Sequence, residues 1–109
     1  MSIVPMTPEV LVLVAARFKA LSEPVRLQIL NALRKGELTV GQLVEETELG
    51  QANVSRHLQV LYNLGFARRR REGPFVYYAL ADRSVFELCA IMCGHLATES
   101  KTRRKVLAG

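Results

Sequence analysis

Residues 48–80 read ELGQANVSRHLQVLYNLGFARRRREGPFVYYAL, and this segment changes character at Gly65. Before Gly65, apolar residues recur at three- and four-residue steps over about residues 51–63, which predicts one helix. After Gly65, two β-prone runs flank a Glu-Gly-Pro turn, which is typical of a hairpin. The segment therefore predicts a helix that is followed directly by a basic β-hairpin.

Three more helices are predicted before this segment and one after it. The first begins at Pro8 and is apolar on two sides, which favours burial against a second subunit. The second is predicted to have Ser22 as its N-cap. The third is short, and its Thr39 and Gln42 have the spacing of a capping box. A last helix begins near Ser84, so the order α-α-α-α-β-β-α predicts a mainly α fold with a small β-hairpin, a winged helix-turn-helix.

Length and composition agree with one globular domain over residues 1–109, with a flexible tail from about residue 101. The longest mainly apolar stretch, residues 10–16, is too short to cross a bilayer, and the N-terminus has no signal-peptide pattern. We therefore expect a cytoplasmic protein with no membrane partner.

The net charge of +5 is unevenly distributed along the chain. Residues 1–50 carry five basic and six acidic groups, whereas residues 51–109 carry ten basic and four acidic groups. Because Lys and Arg release counterions when they neutralise phosphates, this asymmetry favours a polyanion bound to the second half.

Projection of the fourth helix separates an apolar side from a polar side. The polar side chains suit base edges in the major groove, since amides pair with adenine, Arg pairs with guanine, and an Ala methyl contacts thymine. The candidate DNA-binding residues in this helix-turn-helix are Thr39, Gln51, Ala52, Asn53, Ser55, Arg56 and Gln59. The alternative is a solvated helix face. His57 lies on the apolar side and is predicted to be a hydrogen-bonded structural residue.

The hairpin carries Arg68, Arg69, Arg70 and Arg71 at consecutive positions, so these side chains alternate between the two faces of the strand. An arginine run can protect an edge strand from aggregation. We interpret this run instead as a contact to the DNA backbone or minor groove.

These features predict sequence-specific binding of double-stranded DNA. No phosphate-binding glycine loop, nucleophile elbow or obvious carboxylate pair is present, so an enzyme is not expected. The alternative function is a winged-helix module that binds proteins and does not read DNA sequence. RNA is a weaker candidate, because the chain has few aromatic residues for base stacking.

Two segments, FKALSEPVRLQILNAL (residues 18–33) and residues 48–80, resemble the ArsR/SmtB family of bacterial winged-helix repressors. The resemblance extends over about residues 13–97. It implies a homodimer joined by the first and last helices, which binds an imperfect inverted repeat and leaves it when an effector binds. Half-sites in such a repeat lie about one helical turn apart, roughly 10 base pairs.

The resemblance also implies two places for a metal effector. Some members bind arsenite or cadmium through cysteines in the third helix, but residues 39–50 contain none. Others bind zinc or related metals between the paired last helices. Asp82 and His95 match two of those four ligand positions, and Glu99 is a candidate substitute for another. The alternative is a surface histidine and an aspartate that favours the helix dipole.

Cys89 and Cys93 are four residues apart on the predicted last helix and therefore lie on one side of it. Thiolates prefer soft ions such as As(III) and Cu(I), and they also undergo oxidation or persulfidation. Either chemistry would make this pair an effector site. The alternative is that both are small buried apolar residues.

Overall fold

The computed structural model describes the backbone of residues 5–108 and the side chains of residues 5–100. The elements, together with a 3-10 turn at Leu33–Lys35, are α1 (Pro8–Leu21), α2 (Pro24–Ala32), β1 (Leu38–Thr39), α3 (Val40–Thr47), α4 (Gln51–Asn63), β2 (Ala67–Glu72), β3 (Phe75–Leu80) and α5 (Val85–Ala108). This order confirms the predicted winged helix-turn-helix and adds one short strand, β1. Within residues 5–108, no helix combines the length and the apolar content that a bilayer span requires.

Helix α5 extends to Ala108. The predicted flexible tail, from about residue 101, falls outside the side chains that the structure describes. That expectation, and the assignment of residues 1–109 to one domain, stay predictions.

The starts of α2 and α3 differ in how they are capped. The predicted N-cap role of Ser22 is wrong: its hydroxyl donates to the carbonyl oxygen of Lys19 (2.6 Å), at the end of α1. Helix α2 begins instead at Pro24, whose fixed φ favours the first helical position and whose nitrogen has no N–H to satisfy. The capping box of α3 is confirmed, because the side chains and backbone amides of Thr39 and Gln42 bond reciprocally.

The core lies between α2, α3, α4 and the hairpin. The side chains that are fully buried are Ile29, Leu30, Leu33, Leu43, Val54, Leu58 and Leu61. The last three of these lie on the predicted apolar side of α4. Since α4 packs against α2, α3 and β2, the core fixes which side of α4 faces outward.

The three strands form an antiparallel sheet in the order β1-β3-β2. Tyr78 and Leu80 of β3 are buried and define the inner face of the sheet. Arg69 pairs with Tyr78, whereas Arg68 pairs with Ala79. Because directly paired residues share a face, Arg69 and Arg71 lie on the inner side, toward α4, and Arg68 and Arg70 lie on the outer side. Gly73, with φ of 60°, allows the tight turn at the hairpin tip.

Helices α1 and α5 expose apolar side chains that the chain's own core does not cover. They are Leu11, Val12, Leu13 and Phe18 on α1, and Leu88, Ile91, Met92 and Leu96 on α5. An exposed apolar surface of this kind is typical of a protein–protein interface. It agrees with the expectation that α1 is buried against a second subunit.

Candidate nucleic-acid interface

The outward side of α4 carries the polar residues that the sequence predicts for base contacts. Six of them are exposed: Gln51, Ala52, Asn53, Ser55, Arg56 and Gln59. The N-cap of α4 is Gly50, which makes no side-chain cap bond to the first amides of the helix. Helix N-termini with free amides favour phosphate, so this end of α4 suits the DNA backbone as well as base edges.

Hydrogen bonds order several of these side chains along the helix. Arg56 donates through Nη2 to Oδ1 of Asn53 (2.5 Å), and Gln59 donates through Nε2 to Oδ1 of Asn63 (2.9 Å). Thr39 uses its hydroxyl in the capping box, where it accepts from the Gln42 amide (3.2 Å). Among the exposed residues of α4, Asn53, Arg56 and Gln59 are therefore held by side-chain hydrogen bonds.

His57 occupies the inner side of α4 and is 8% exposed. Its Nδ1 accepts a hydrogen bond from Nε of Arg26 (3.1 Å), and Arg26 also donates to the carbonyl oxygen of Ala20 (3.3 Å). Burial lowers the pKa of His57, and the charges of Arg26 and Arg56 lower it further, so the imidazole is neutral near pH 7. The prediction of a hydrogen-bonded structural residue is confirmed: His57 connects α4 to α2 and to the end of α1.

On the inner face of the wing, Arg69 and Arg71 have different surroundings. The Arg69 guanidinium lies over the ring of Tyr62, 4.0 Å from its centroid, which connects the wing to the end of α4. Arg71 is exposed, two positions before Gly73 of the hairpin turn, and has no protein partner among the described residues. Arg71 is thus the wing arginine that is most available to an external phosphate.

On the outer face, Arg70 is occupied by carboxylates. Its Nε donates to Oε2 of Glu37 (2.9 Å), its Nη1 donates to Oε2 of Glu72 (2.6 Å), and its guanidinium lies over the ring of Tyr77. This contact lowers the pKa of Glu37. Arg68 donates through Nε to the carbonyl oxygen of Leu80 (3.3 Å). Glu37 is not recognisable from the sequence as a partner of Arg70, because 33 residues separate them in the chain.

The candidate effector residues lie on α5 and in the loop before it. Cys89 is half-buried and Cys93 is exposed, one helical turn further along. The Ser84 amide donates to Oδ1 of Asp82 (2.9 Å), which holds the pKa of that carboxyl below its usual range. His95 is exposed, and Glu99 lies one turn beyond it. Among the side chains of residues 5–100, no three His, Cys, Asp or Glu residues of one chain form a metal-binding group.

Comparison with known proteins gives a consistent family match. Residues 23–69 match the family model described as "Bacterial regulatory protein, arsR family". The chain is 45% identical over 76 residues to a cadmium resistance transcriptional regulatory protein CadC homolog of Staphylococcus aureus. The aligned region covers 69% of this chain and 63% of that protein. It is 39% identical over 84 residues to the HTH-type transcriptional regulator NmtR of Mycobacterium tuberculosis. That alignment covers 77% of this chain and 70% of the regulator. The match thus spans slightly less than two thirds of the Staphylococcus relative.

Solved structures with the same fold cover most of the chain. The crystal structure of Rv0081 of M. tuberculosis superposes with a TM-score of 0.77 and 32% identity, over 89% of this chain and 98% of that one. The homodimeric winged helix-turn-helix DNA-binding domain of Mb0332 from Mycobacterium bovis superposes with a TM-score of 0.74 and 31% identity, over 94% and 95%.

Proposed function

The chain belongs to the arsR family of bacterial regulatory proteins, and we propose that it is a homodimeric repressor that binds operator DNA and leaves it when an effector binds. The relatives are transcriptional regulators and not enzymes. The observation that carries the proposal is the position of α4: the core buries one side of it and exposes a polar side next to an arginine-bearing hairpin.

In this proposal α4 enters the major groove. Its exposed residues contact base edges, where amides pair with adenine, Arg pairs with guanine and an Ala methyl contacts thymine. They are Gln51, Ala52, Asn53, Ser55, Arg56 and Gln59. We also assign a DNA contact to Thr39, the N-cap of α3. On the wing we assign the phosphate or minor-groove contact first to Arg71, because Arg68, Arg69 and Arg70 each have a protein partner.

Two copies of the chain are needed for this arrangement. The exposed apolar side chains of α1 and α5 support a dimer through these helices, and the homodimeric M. bovis domain has the same fold. A two-fold dimer presents two α4 helices to successive major grooves. We therefore propose an imperfect inverted repeat as the operator, with half-site centres about 10 base pairs apart.

The salt dependence of binding tests the assignment of the wing arginines. Arg71→Gln should reduce the slope of log affinity against log salt by about one for each wing, because one phosphate contact is lost. Arg70→Gln combined with Glu37→Gln should leave the slope unchanged, since it removes one cation and the carboxylate that already compensates it. Fluorescence anisotropy of an operator duplex over a salt series measures both. Equal slope losses in the two variants would contradict the assignment.

For the effector we propose the thiol pair on α5. In the single chain Cys93 is exposed and Cys89 is half-buried, and thiolates react with soft ions, oxidants and sulfane sulfur. A second candidate is a site for Zn(II) or a related ion between subunits, built from Asp82 and His95 and completed by Glu99. Relatives named for cadmium resistance and for mercury resistance support a metal as the class of effector.

Substitution of both cysteines separates these two candidates. Cys89→Ser/Cys93→Ser should bind operator DNA as the natural protein does, but polysulfide, peroxide, arsenite and copper(I) should no longer release it. Zinc should still act on this variant if the second site is used, and His95→Asn should abolish that response. An electrophoretic shift titration of reduced protein measures release. An unchanged response to every thiol-reactive compound would contradict the thiol proposal.

A further inference from the structure

A cavity of about 620 Å³ lies at the base of the hairpin, and neither the residues of α4 nor Arg71 line it. It is bounded by the 3-10 turn at Leu33–Lys35, by the end of β3 and by the residues that lead into α5. Four cationic side chains line it: Arg34, Lys35, Arg68 and Arg83. A volume of this size is within the range of about 300–1,000 Å³ that is usual for small-molecule sites.

Positive charge exceeds negative charge in this cavity. Its two carboxylates are Glu37 and Asp82. Glu37 accepts hydrogen bonds from Arg70, which does not line the cavity. Asp82 accepts a hydrogen bond from the Ser84 amide. Arg70 therefore compensates the charge of Glu37. Among the described residues of the cavity lining, Asp82 is then the one carboxylate that faces the four lining cations.

The guanidinium groups are held in place by contacts that leave most of their donors free. Arg83 donates through Nη1 to the carbonyl oxygen of Arg34 (3.3 Å), and Arg68 donates through Nε to that of Leu80 (3.3 Å). Arg34 itself lies over the ring of Phe86, 4.6 Å from its centroid. Arg34 also donates through Nη1 to Oδ1 of Asn31 (3.5 Å). Because a guanidinium has five N–H donors, each of these arginines keeps several for a ligand.

This cavity is separate from the DNA-facing surface. Arg68 lies on the outer face of the sheet, whereas α4 packs against the inner face, where Arg69 contacts Tyr62. Arg68 is five residues from Gly73 at the hairpin turn, which is about 16 Å along an extended strand. A duplex held by α4 and the wing tip would therefore leave the cavity open.

We propose that this cavity binds a small organic phosphate with at least two negative charges. Arginine forks match phosphate oxygens in pairs, and the cavity has three arginines and a lysine. Ala79 and Ala81, which line the cavity and are half-buried, supply a small apolar surface for the organic part of the ligand. Binding is a property of the single chain and does not depend on the proposed repressor function.

The probe for this site is inorganic pyrophosphate, added at constant ionic strength to the full chain without DNA. In amide-resolved NMR spectra we expect saturable shifts at Gly36, Ala81 and Arg83, at millimolar pyrophosphate or below. Arg34→Gln/Arg83→Gln should weaken binding by at least about tenfold. Lys35→Gln, which alters a side chain with no acceptor among the described residues, should weaken it less. The control Arg17→Gln removes an exposed cation from α1 and should not change binding.

Several results would overturn the proposal: no saturable shifts, equal affinity in the natural protein and in both cavity variants, or shifts centred on Arg56 and Arg71. A duplex arm identifies the source of the phosphate. Pyrophosphate should bind equally well to the chain in complex with operator DNA, whereas displacement by the duplex would show that DNA phosphate occupies the cavity, contrary to the proposal. Operator binding is measured separately on the same protein preparations, so failure of either proposal is distinguishable from failure of the other.

Discussion

Met92→Asp/Leu96→Asp should convert the protein to a monomer and lower its affinity for a two-half-site operator by about 10²–10⁴-fold. In the single chain these side chains are 60% and 62% exposed, so their replacement leaves the core of α2, α3 and α4 intact. In a dimer joined through α5, the same substitutions place four unpaired carboxylates in an apolar contact, which is strongly unfavourable. The affinity falls because the two α4 helices are no longer linked, so binding of one half-site no longer raises the effective concentration of the second α4 at the other half-site.

Ala97→Asp provides the matched control. Ala97 is also exposed on α5, but it lies around the helix from the apolar residues, about 180° from Leu88, about 140° from Met92 and about 100° from Leu96, at about 100° per residue. This variant should remain dimeric and should bind with little change. Sedimentation velocity measures the oligomeric state, and anisotropy measures operator affinity. A dimer that persists in Met92→Asp/Leu96→Asp, or a monomer with undiminished affinity, would contradict the role assigned to α5.

Arg56→Ala should weaken operator binding by about 1–3 kcal/mol for each half-site, and it should relax the preference at one base pair. Each half-site loss corresponds to about 5- to 150-fold. The reason is geometric: Arg56 is exposed on the outward side of α4, and its hydrogen bond to Asn53 orders the guanidinium on that face. Bidentate contacts of arginine to guanine discriminate against the other bases.

The decisive measurement for Arg56 is a comparison across operator variants with each position of a half-site changed in turn. One position should matter less to Arg56→Ala than to the natural protein. Arg17→Ala, a charge loss on α1, should keep the full pattern of preferences. If Arg56→Ala instead weakens all sequences by the same factor, Arg56 contacts the backbone and does not read a base.

The elements that local sequence patterns control were predicted well. Helix α4 and both hairpin strands lie where periodicity and turn residues place them, because Val54, Leu58 and Leu61 supply one continuous apolar side. The start of α2 was mispredicted at Ser22. A serine between two helices suits the end of the first as well as the start of the second, and Ser22 caps the end of α1. Pro24 determines where α2 begins.

The sequence does not predict which wing arginines have protein partners and which one is free to contact DNA. This distinction depends on the register of β2 with β3 and on the short strand β1, which has only two residues and no periodic pattern. That strand positions Glu37 beside Arg70, so one cation of the run is compensated by a residue far away in the chain. An estimate based on net charge or on a run of arginines treats Arg70 as available to DNA, although Glu37 already compensates its charge.

The measurement that tests the central proposal most directly is selection of fragmented genomic duplex by the purified chain, followed by footprinting of the bound fragments. We expect a small set of enriched fragments, each protected over an inverted repeat with half-site centres about 10 base pairs apart, and an affinity that falls steeply as salt increases. Equal binding of all fragments, or no binding even at low salt, would contradict a DNA-reading function. That result would favour a winged-helix module that binds proteins.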